Sequence, residues 1–318
     1  MPLTDLTVPQ LAAYRCATPE PADFDAFWKR TLAEAQPSAS FASHPTPLRT
    51  VTVQDVTFTG FGGAAVRGWL LVPAHAEGPL PCVVEIPGYG GGRGLPHDSL
   101  VYSAAGYAHF IMDLRGQGAH WLVGDTPDPD ASPEPHYPGF MTSGIALPES
   151  YYFRRVITDA VCAVRAIAAH PAVDAERIAL MGGSAGAGVA LAATGLGAPV
   201  RCLIADVPYL CDIRRGCELA TEGPYLEVVG FLRARRDLVD QVMRTLSYVD
   251  GVFFARRASV PALFSAALMD PICPPSTAYA AYNAYAGPAE MRLWEFNGHE
   301  GGEGFQQLRR LDFLAEAL

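Results

Sequence analysis

Lysine is all but missing from this chain. Of the 23 cationic residues among 318, Lys29 is the one lysine and the rest are arginine. A bias of that kind reads as coding preference and carries no functional content. No G-x-x-x-x-G-K-[ST] phosphate loop is present, and no G-x-G-x-x-G takes its place, so nucleotide binding is not expected. An excess of positive charge is missing too. The 33 acids leave a net charge of −10, and a nucleic-acid binder's basic footprint is therefore absent. Charged residues make up 18% against 50% hydrophobic, the reverse of a disordered chain. The 31 glycines and 27 prolines stay below the fraction that marks low complexity. No run of about 18 uninterrupted apolar residues occurs, so no membrane span is expected. The opening MPLTDLTVPQLAAYRCATPEP lacks a cationic stretch followed by an apolar one, and no signal peptide is expected. C-x-x-C is absent as well. The seven cysteines, Cys16, Cys82, Cys162, Cys202, Cys211, Cys217 and Cys273, are odd in number and mostly sit in apolar patterns. They read as free, buried thiols of a cytoplasmic protein. Cys211 and Cys217 have no histidine nearby, and H-E-x-x-H is missing, so neither a metal nor an organic cofactor is expected.

What is present is an alternation of strands and helices. Residues 23–36 carry Phe24, Phe27, Trp28, Thr31 and Leu32 at helical spacing and predict a helix. Residues 51–59 and 65–72 alternate around a glycine-rich turn and predict an antiparallel pair. Short continuous apolar runs follow at 82–86, 108–112, 178–181, 202–205, 262–265 and 292–296. Such runs suit strands covered on both faces, as in parallel sheets. Helical stretches fall between them at 97–105, 151–169, 185–194, 276–285 and 302–317. The pattern predicts one α/β domain over 1–318 with a mostly parallel central sheet flanked by helices. It has an N-terminal helical extension (1–50), a long loop insertion (116–150) and a helical insertion (207–259). Both insertions are placed to cover the sheet's carboxyl edge, where ligands bind in open α/β folds. Trp121, Tyr137, Phe140 and Met141 are candidate lining residues from the first of them.

Gly182-Gly183-Ser184-Ala185-Gly186 follows a predicted strand and opens a helix of small residues. That is the context of a nucleophile elbow, in which glycines let strand and helix approach while the serine oxygen is exposed. The Ala185 amide then points at the same space from the helix N-terminus. Serine needs a base, and the base an orienting acid. In α/β-hydrolases they follow in the order Ser, Asp or Glu, His. His299 is the one histidine after Ser184, and glycines 298, 301 and 302 around it suit a loop. Asp270, at the end of a strand and before Pro271, is the preferred acid. Asp206, which ends the preceding strand, is the alternative, with a structural pairing to Arg214 or Arg215 as its other reading. A second oxyanion donor belongs in the loop after the strand at 82–86, which reads Pro87-Gly88-Tyr89-Gly90-Gly91-Gly92. The Tyr89 amide is the candidate.

With these residues in view, the chain resembles the cephalosporin-C deacetylase / acetyl xylan esterase family, carbohydrate esterase family seven of the α/β-hydrolase superfamily, from Phe24 to its end. The family's R-G-Q, G-x-S-Q-G-G and H-E motifs read here as Arg115-Gly116-Gln117, Gly182-Gly183-Ser184-Ala185-Gly186-Ala187 and His299-Glu300. Further likeness lies at 151–161, at 245–283 and in the PGYGG loop at 87–91. The resemblance implies a Ser184–Asp270–His299 triad with Tyr89 and Ala185 amides as the oxyanion hole. It also implies that Arg115 and Gln117 form a structural turn that orders the site from behind. The implied activity is removal of acetyl groups from small substrates, such as acetylated xylo-oligosaccharides or cephalosporin C, through an acyl-enzyme. A cytoplasmic hexamer with inward-facing sites is implied too. Alanines at 185 and 187 depart from the family's Gln and Gly, which puts acyl or alcohol preference in doubt. The other readings are an α/β-hydrolase of different ester or amide specificity and a non-catalytic binding protein.

Overall fold

The apolar runs lie side by side in one sheet. A computed structural model describes residues 3, 5–35 and 38–318. In chain order they form α1 (Val8–Ala13), α2 (Phe24–Ala33), β1 (Ala39–His44), β2 (Val51–Thr59), β3 (Ala65–Pro73), β4 (Leu80–Ile86), α3 (Val101–Ala104), β5 (Ala108–Met112), α4 (Tyr152–Ala168), β6 (Val173–Gly183), α5 (Ala185–Gly195), β7 (Cys202–Asp206), α6 (Ile213–Leu219), α7 (Tyr225–Ala234), α8 (Val239–Ser247), α9 (Gly251–Ala255), β8 (Ala262–Ala267), α10 (Pro275–Ala284), β9 (Ala289–Trp294) and α11 (Glu303–Ala317). The sheet order is β1-β2-β3-β5-β4-β6-β7-β8-β9. Pairing is antiparallel from β1 through β5 and parallel from β5 through β9.

Successive residues of the parallel strands feed two different cores, as the period of two requires. Val84, Leu180, Leu203 and Phe264 join the larger core with α4, α5 and α9. Val83, Ala179, Met181, Ile204 and Leu263 pack with Tyr102 of α3 and with Phe313 and Leu314 of α11. Helix α5 is made of small residues because its neighbours touch it at backbone distance. A Cβ on Gly186 would stand 2.0 Å from the Ile86 carbonyl oxygen, and one on Gly195 2.5 Å from that of Phe254. The helix expected at 23–36 forms over Phe24–Ala33 as α2, residue 36 lying outside the described residues, and Trp28 ties it to the helical insertion by donating to the Tyr248 carbonyl (2.8 Å).

Three expectations need correction. The N-terminal 50 residues are not helical alone: β1 pairs along the outer edge of β2, although its polar sequence ASFASH carries no buried stripe. The helix expected at 97–105 shrinks to a 3-10 turn at Pro96–Asp98 and the four-residue α3. The last strand ends at Trp294, which leaves Phe296 outside it and 80% exposed.

Candidate active site

Ser184 stands between β6 and α5 with φ 55° and ψ −121°, a strained combination for a residue with a side chain. Neighbouring backbone holds it there. Its amide donates to the Asp206 carbonyl (2.9 Å), and its own carbonyl accepts from the amides of Gly188 (3.1 Å) and Tyr209 (2.9 Å). Gly182 and Gly186 are required by contact: a Cβ on Gly182 would lie 2.3 Å from the Gly186 carbonyl carbon.

His299 lies in the loop between β9 and α11. Its Nδ1 is 2.8 Å from Asp270 Oδ2, just past the end of β8. The other oxygen of Asp270 accepts the amides of Ile272 (2.8 Å) and Cys273 (2.9 Å), so the buried carboxylate is aimed by its own turn. Glu300 shapes the histidine's loop: its Oε1 accepts from Asn297 Nδ2 (2.9 Å) and the Gly298 amide (3.0 Å). Ser184 and His299 line one cavity of about 440 Å³, with Gly88, Trp121, Val207 and Gly301 among its walls. A larger cavity, about 790 Å³, lies between residues 14–23 and the helical insertion and is lined by none of Ser184, Asp270 and His299.

Asp206 lines the same cavity but makes no hydrogen bond to the histidine. It accepts from Gln306 Nε2 (2.5 Å) and Arg310 Nε (2.6 Å), which holds α11 against the end of β7. The pairing read for it with Arg214 or Arg215 does not form: Arg214 meets Glu218 and Arg215 meets Asp5.

The loop after β4 runs past the serine; a Cβ on Gly88 would be 3.9 Å from that of Ser184. The Tyr89 carbonyl accepts Trp121 Nε1 (2.8 Å). Its hydroxyl is 2.8 Å from each oxygen of Glu227. Among the described residues the amides of Tyr89 and Ala185 donate no hydrogen bond within the protein. Gln117 Oε1 takes the Gly90 amide (2.5 Å), and its Nε2 donates to the Tyr152 hydroxyl (2.8 Å). Arg115 forms a bidentate pair with Asp159 (2.6 and 2.7 Å), buried behind the loop.

Of the four residues expected to line the pocket, Trp121 does so. Tyr137 is exposed, whereas Phe140 and Met141 are core residues, and none of these three lines the cavity. Ala185 and Ala187 are fully buried. Two residues went unread in the sequence. Glu227 is one acid among 33 with no motif around it. Cys273, three residues after Asp270, stands beside Ser184. Asp270, Cys273 and His299 offer ligand atoms within 4.8 Å of one another, a mixed O, S and N set suited to zinc. In this structure two of the three are joined instead by the 2.8 Å hydrogen bond.

The family model described as acetyl xylan esterase (AXE1) matches residues 1–317. The acetyl xylan esterase from Paenibacillus sp. R4 superposes with a TM-score of 0.90 at 37% identity, covering 98% of this chain and all of that one. Acetyl xylan esterase 1 from Thermoanaerobacterium sp. JW/SL YS485 gives 0.89 at 29% identity, covering 98% and 99%. A curated relative, the acetyl esterase Axe7A of Xylanibacter ruminicola, is 27% identical over 294 residues; these are 89% of this chain and 64% of that protein's length. With an α/β-hydrolase sheet and a family model that spans nearly the whole chain, the protein belongs to the acetyl xylan esterase (AXE1) family.

Proposed function

We propose that the protein is a serine esterase that removes acetyl groups from small acetylated substrates. One observation carries this reading. The Asp270-bound imidazole of His299 and the strained Ser184 share one cavity, the arrangement that acyl transfer through a serine requires.

In the reaction, Ser184 Oγ attacks the ester carbonyl carbon while His299 takes its proton. Asp270 holds the imidazole in the tautomer that leaves Nε2 free to accept, and stabilises the imidazolium that results. The carbonyl oxygen becomes an oxyanion held by the Tyr89 and Ala185 amides, both unspent. Removing one such donor typically costs about 10²–10³ in rate. The tetrahedral intermediate collapses, His299 protonates the departing alcohol, and an acetyl-Ser184 ester remains. Water then attacks with His299 again as base, and acetate leaves. Gln117 acts from behind, fixing the loop that carries Tyr89 through the Gly90 amide, while Arg115 anchors the same turn through its pair with Asp159.

Cephalosporin C belongs to the same proposal as a substrate, as do acetylated xylo-oligosaccharides. A cytoplasmic location is supported by seven free cysteines. Burial pushes the thiols of Cys16, Cys162, Cys202 and Cys217 up to about 12, consistent with unreactive thiols, buried at 162 and 202 and partly buried at 16 and 217. No helix among the described residues is long and apolar enough to cross a membrane. A hexamer is proposed on the family's example. Ser184→Ala, assayed on 4-nitrophenyl acetate and 7-aminocephalosporanic acid, is expected to lose about 10⁴-fold or more of the turnover. Turnover within tenfold of the parent protein would overturn the reading.

A further inference from the structure

Glu227 is an acid for which the reaction as derived has no use. It stands on α7, in the helical insertion, 138 residues from the loop it touches. Its two oxygens face the Tyr89 hydroxyl at 2.8 Å each, and Oε2 also accepts the Met141 amide at 3.1 Å. Burial pushes its pKa up, opposed by the hydrogen bonds from Tyr89 and Met141; no cation contributes. Desolvating a carboxylate without a counter-ion is costly. A residue that only filled this space would be neutral.

The donors around Tyr89 explain why an acid stands here. Its hydroxyl oxygen faces three backbone amides, those of Phe140 (2.8 Å), Met141 (3.2 Å) and Gly139 (3.4 Å). With its lone pairs turned towards donors, the hydroxyl needs an acceptor for its own proton. A carboxylate is the strongest that a side chain offers. An amide in the same place presents an NH₂ that competes with those donors.

The other end of Tyr89 bears on the chemistry. Its carbonyl is held by Trp121 and the next amide by Gln117, while its own amide is left free beside Ser184. The Gly88 carbonyl accepts the Gly91 amide (3.1 Å), so the 88–89 peptide is held at its own oxygen and, on the Tyr89 side, through the phenol, the Tyr89 carbonyl and the Gly90 amide. We infer that Glu227 is a positioning residue of the oxyanion hole, acting through the Tyr89 hydroxyl to hold the Tyr89 amide where charge develops in the transition state. The inference rests on the serine-esterase reading above. It also means that the Tyr89 half of the hole depends on three segments distant in sequence: the loop after β4, residues 139–141, and α7.

A displaced oxyanion donor lowers kcat with little effect on KM, because the contact is made in the transition state and not with bound ester. The test uses the full chain with Glu227→Ala, Tyr89→Phe and the double variant. It reads kcat and KM on 4-nitrophenyl acetate and the Ki of an alkyl boronic acid, whose tetrahedral serine adduct places an oxygen in the hole. Each single variant is expected to lose roughly 10- to 100-fold in kcat, keep KM within about twofold, and bind the boronic acid more weakly by the same factor. The double variant is expected to lose no more than the worse single one, because both changes cut one link. Glu227→Gln, isosteric and uncharged, supplies the same readings if the alanine variant does not fold, with a smaller loss. The inference is overturned if kcat is unchanged, if the two losses multiply, or if KM rises while boronic acid affinity stays intact. An inactive Ser184→Ala alongside any of those results sinks this inference alone; an active Ser184→Ala sinks the esterase reading and this inference with it.

Discussion

At the scale of single residues, the elbow shows how contact distance sorts chemically identical glycines. Strain at Ser184 is of the order of 1–3 kcal/mol, and it is tolerated because β7 and the Tyr209 amide clamp the residue's backbone on both sides. Gly186 leaves no room: a Cβ there lies 2.0 Å from the Ile86 carbonyl oxygen, which is backbone and has no rotamer with which to move away. Gly183, three residues earlier, would place a Cβ with nothing within 4 Å. Gly186→Ala is therefore expected to lose at least about 3 kcal/mol of stability or to fail to fold, and Gly183→Ala to change it by less than about 1 kcal/mol. Urea unfolding midpoints of the two variants check this, and equal losses would contradict it. The elbow was legible because its five residues are adjacent and each does its work locally. His299 was legible for a similar reason, being the one histidine after Ser184 and set among glycines. The grip on Tyr89 was not legible, because Glu227 is 138 positions away and nothing in its own surroundings marks it.

At the scale of elements, the segment between β7 and α6 is held in an unusual shape. Val207 (φ 39°), Leu210 (φ 61°) and Asp212 (φ 42°) all adopt left-handed backbone without being glycine. Asp250 locks this segment's far end. It takes the amides of Asp212 and Ile213 at the start of α6 (both 2.9 Å) and of Val252 at the start of α9 (3.0 Å). One fully buried carboxyl thus begins two helices. Burial pushes its pKa up to about 7; the Ile213 amide opposes this and the charge of Asp212 adds to it. An unfolded aspartate titrates near 3.9, so between about pH 4 and 7 the native state holds a proton that the unfolded chain has released. This group's contribution to stability is therefore fully present below about pH 4 and is lost as pH rises to about 7. Asp250→Asn leaves one amide facing an NH₂ and is expected to cost about 1–3 kcal/mol at pH 4. The cost should shrink towards pH 8, where the parent protein bears a buried charge and the variant does not. Denaturant titrations of both proteins across pH 4 to 8 measure that difference; a pH-independent gap would exclude it. The central strands were legible as continuous apolar runs. Strand β1 was not, because an edge strand with an exposed polar sequence has neither the alternation nor the burial that marks one.

At the scale of the whole molecule, the sheet order was beyond the sequence. Placing β4 between β5 and β6 depends on pairings that no single segment encodes, although the family resemblance implied the fold. The hexamer proposed on the family's example has its experimental test at the surface. Large apolar side chains stand exposed on several segments: Phe296 on the loop of His299, Phe305 (78% exposed) and Leu308 on α11, and Trp121 and Tyr137 on the long insertion. Contiguous exposed apolar groups mark surfaces that another protein covers. Six chains of 33.9 kDa would sediment at about 203 kDa. If the active sites face an enclosed space, acetate release from acetylated xylo-oligosaccharides should far exceed that from insoluble acetylated xylan at equal acetyl content. Phe305→Asp places a charge at an exposed apolar position and is expected to shift sedimentation velocity towards smaller species. It should keep turnover of 4-nitrophenyl acetate within about threefold and raise the share of activity on the polymer. A parent protein that sediments at 33.9 kDa, or a dissociated variant that gains nothing on the polymer, would separate substrate size selection from assembly.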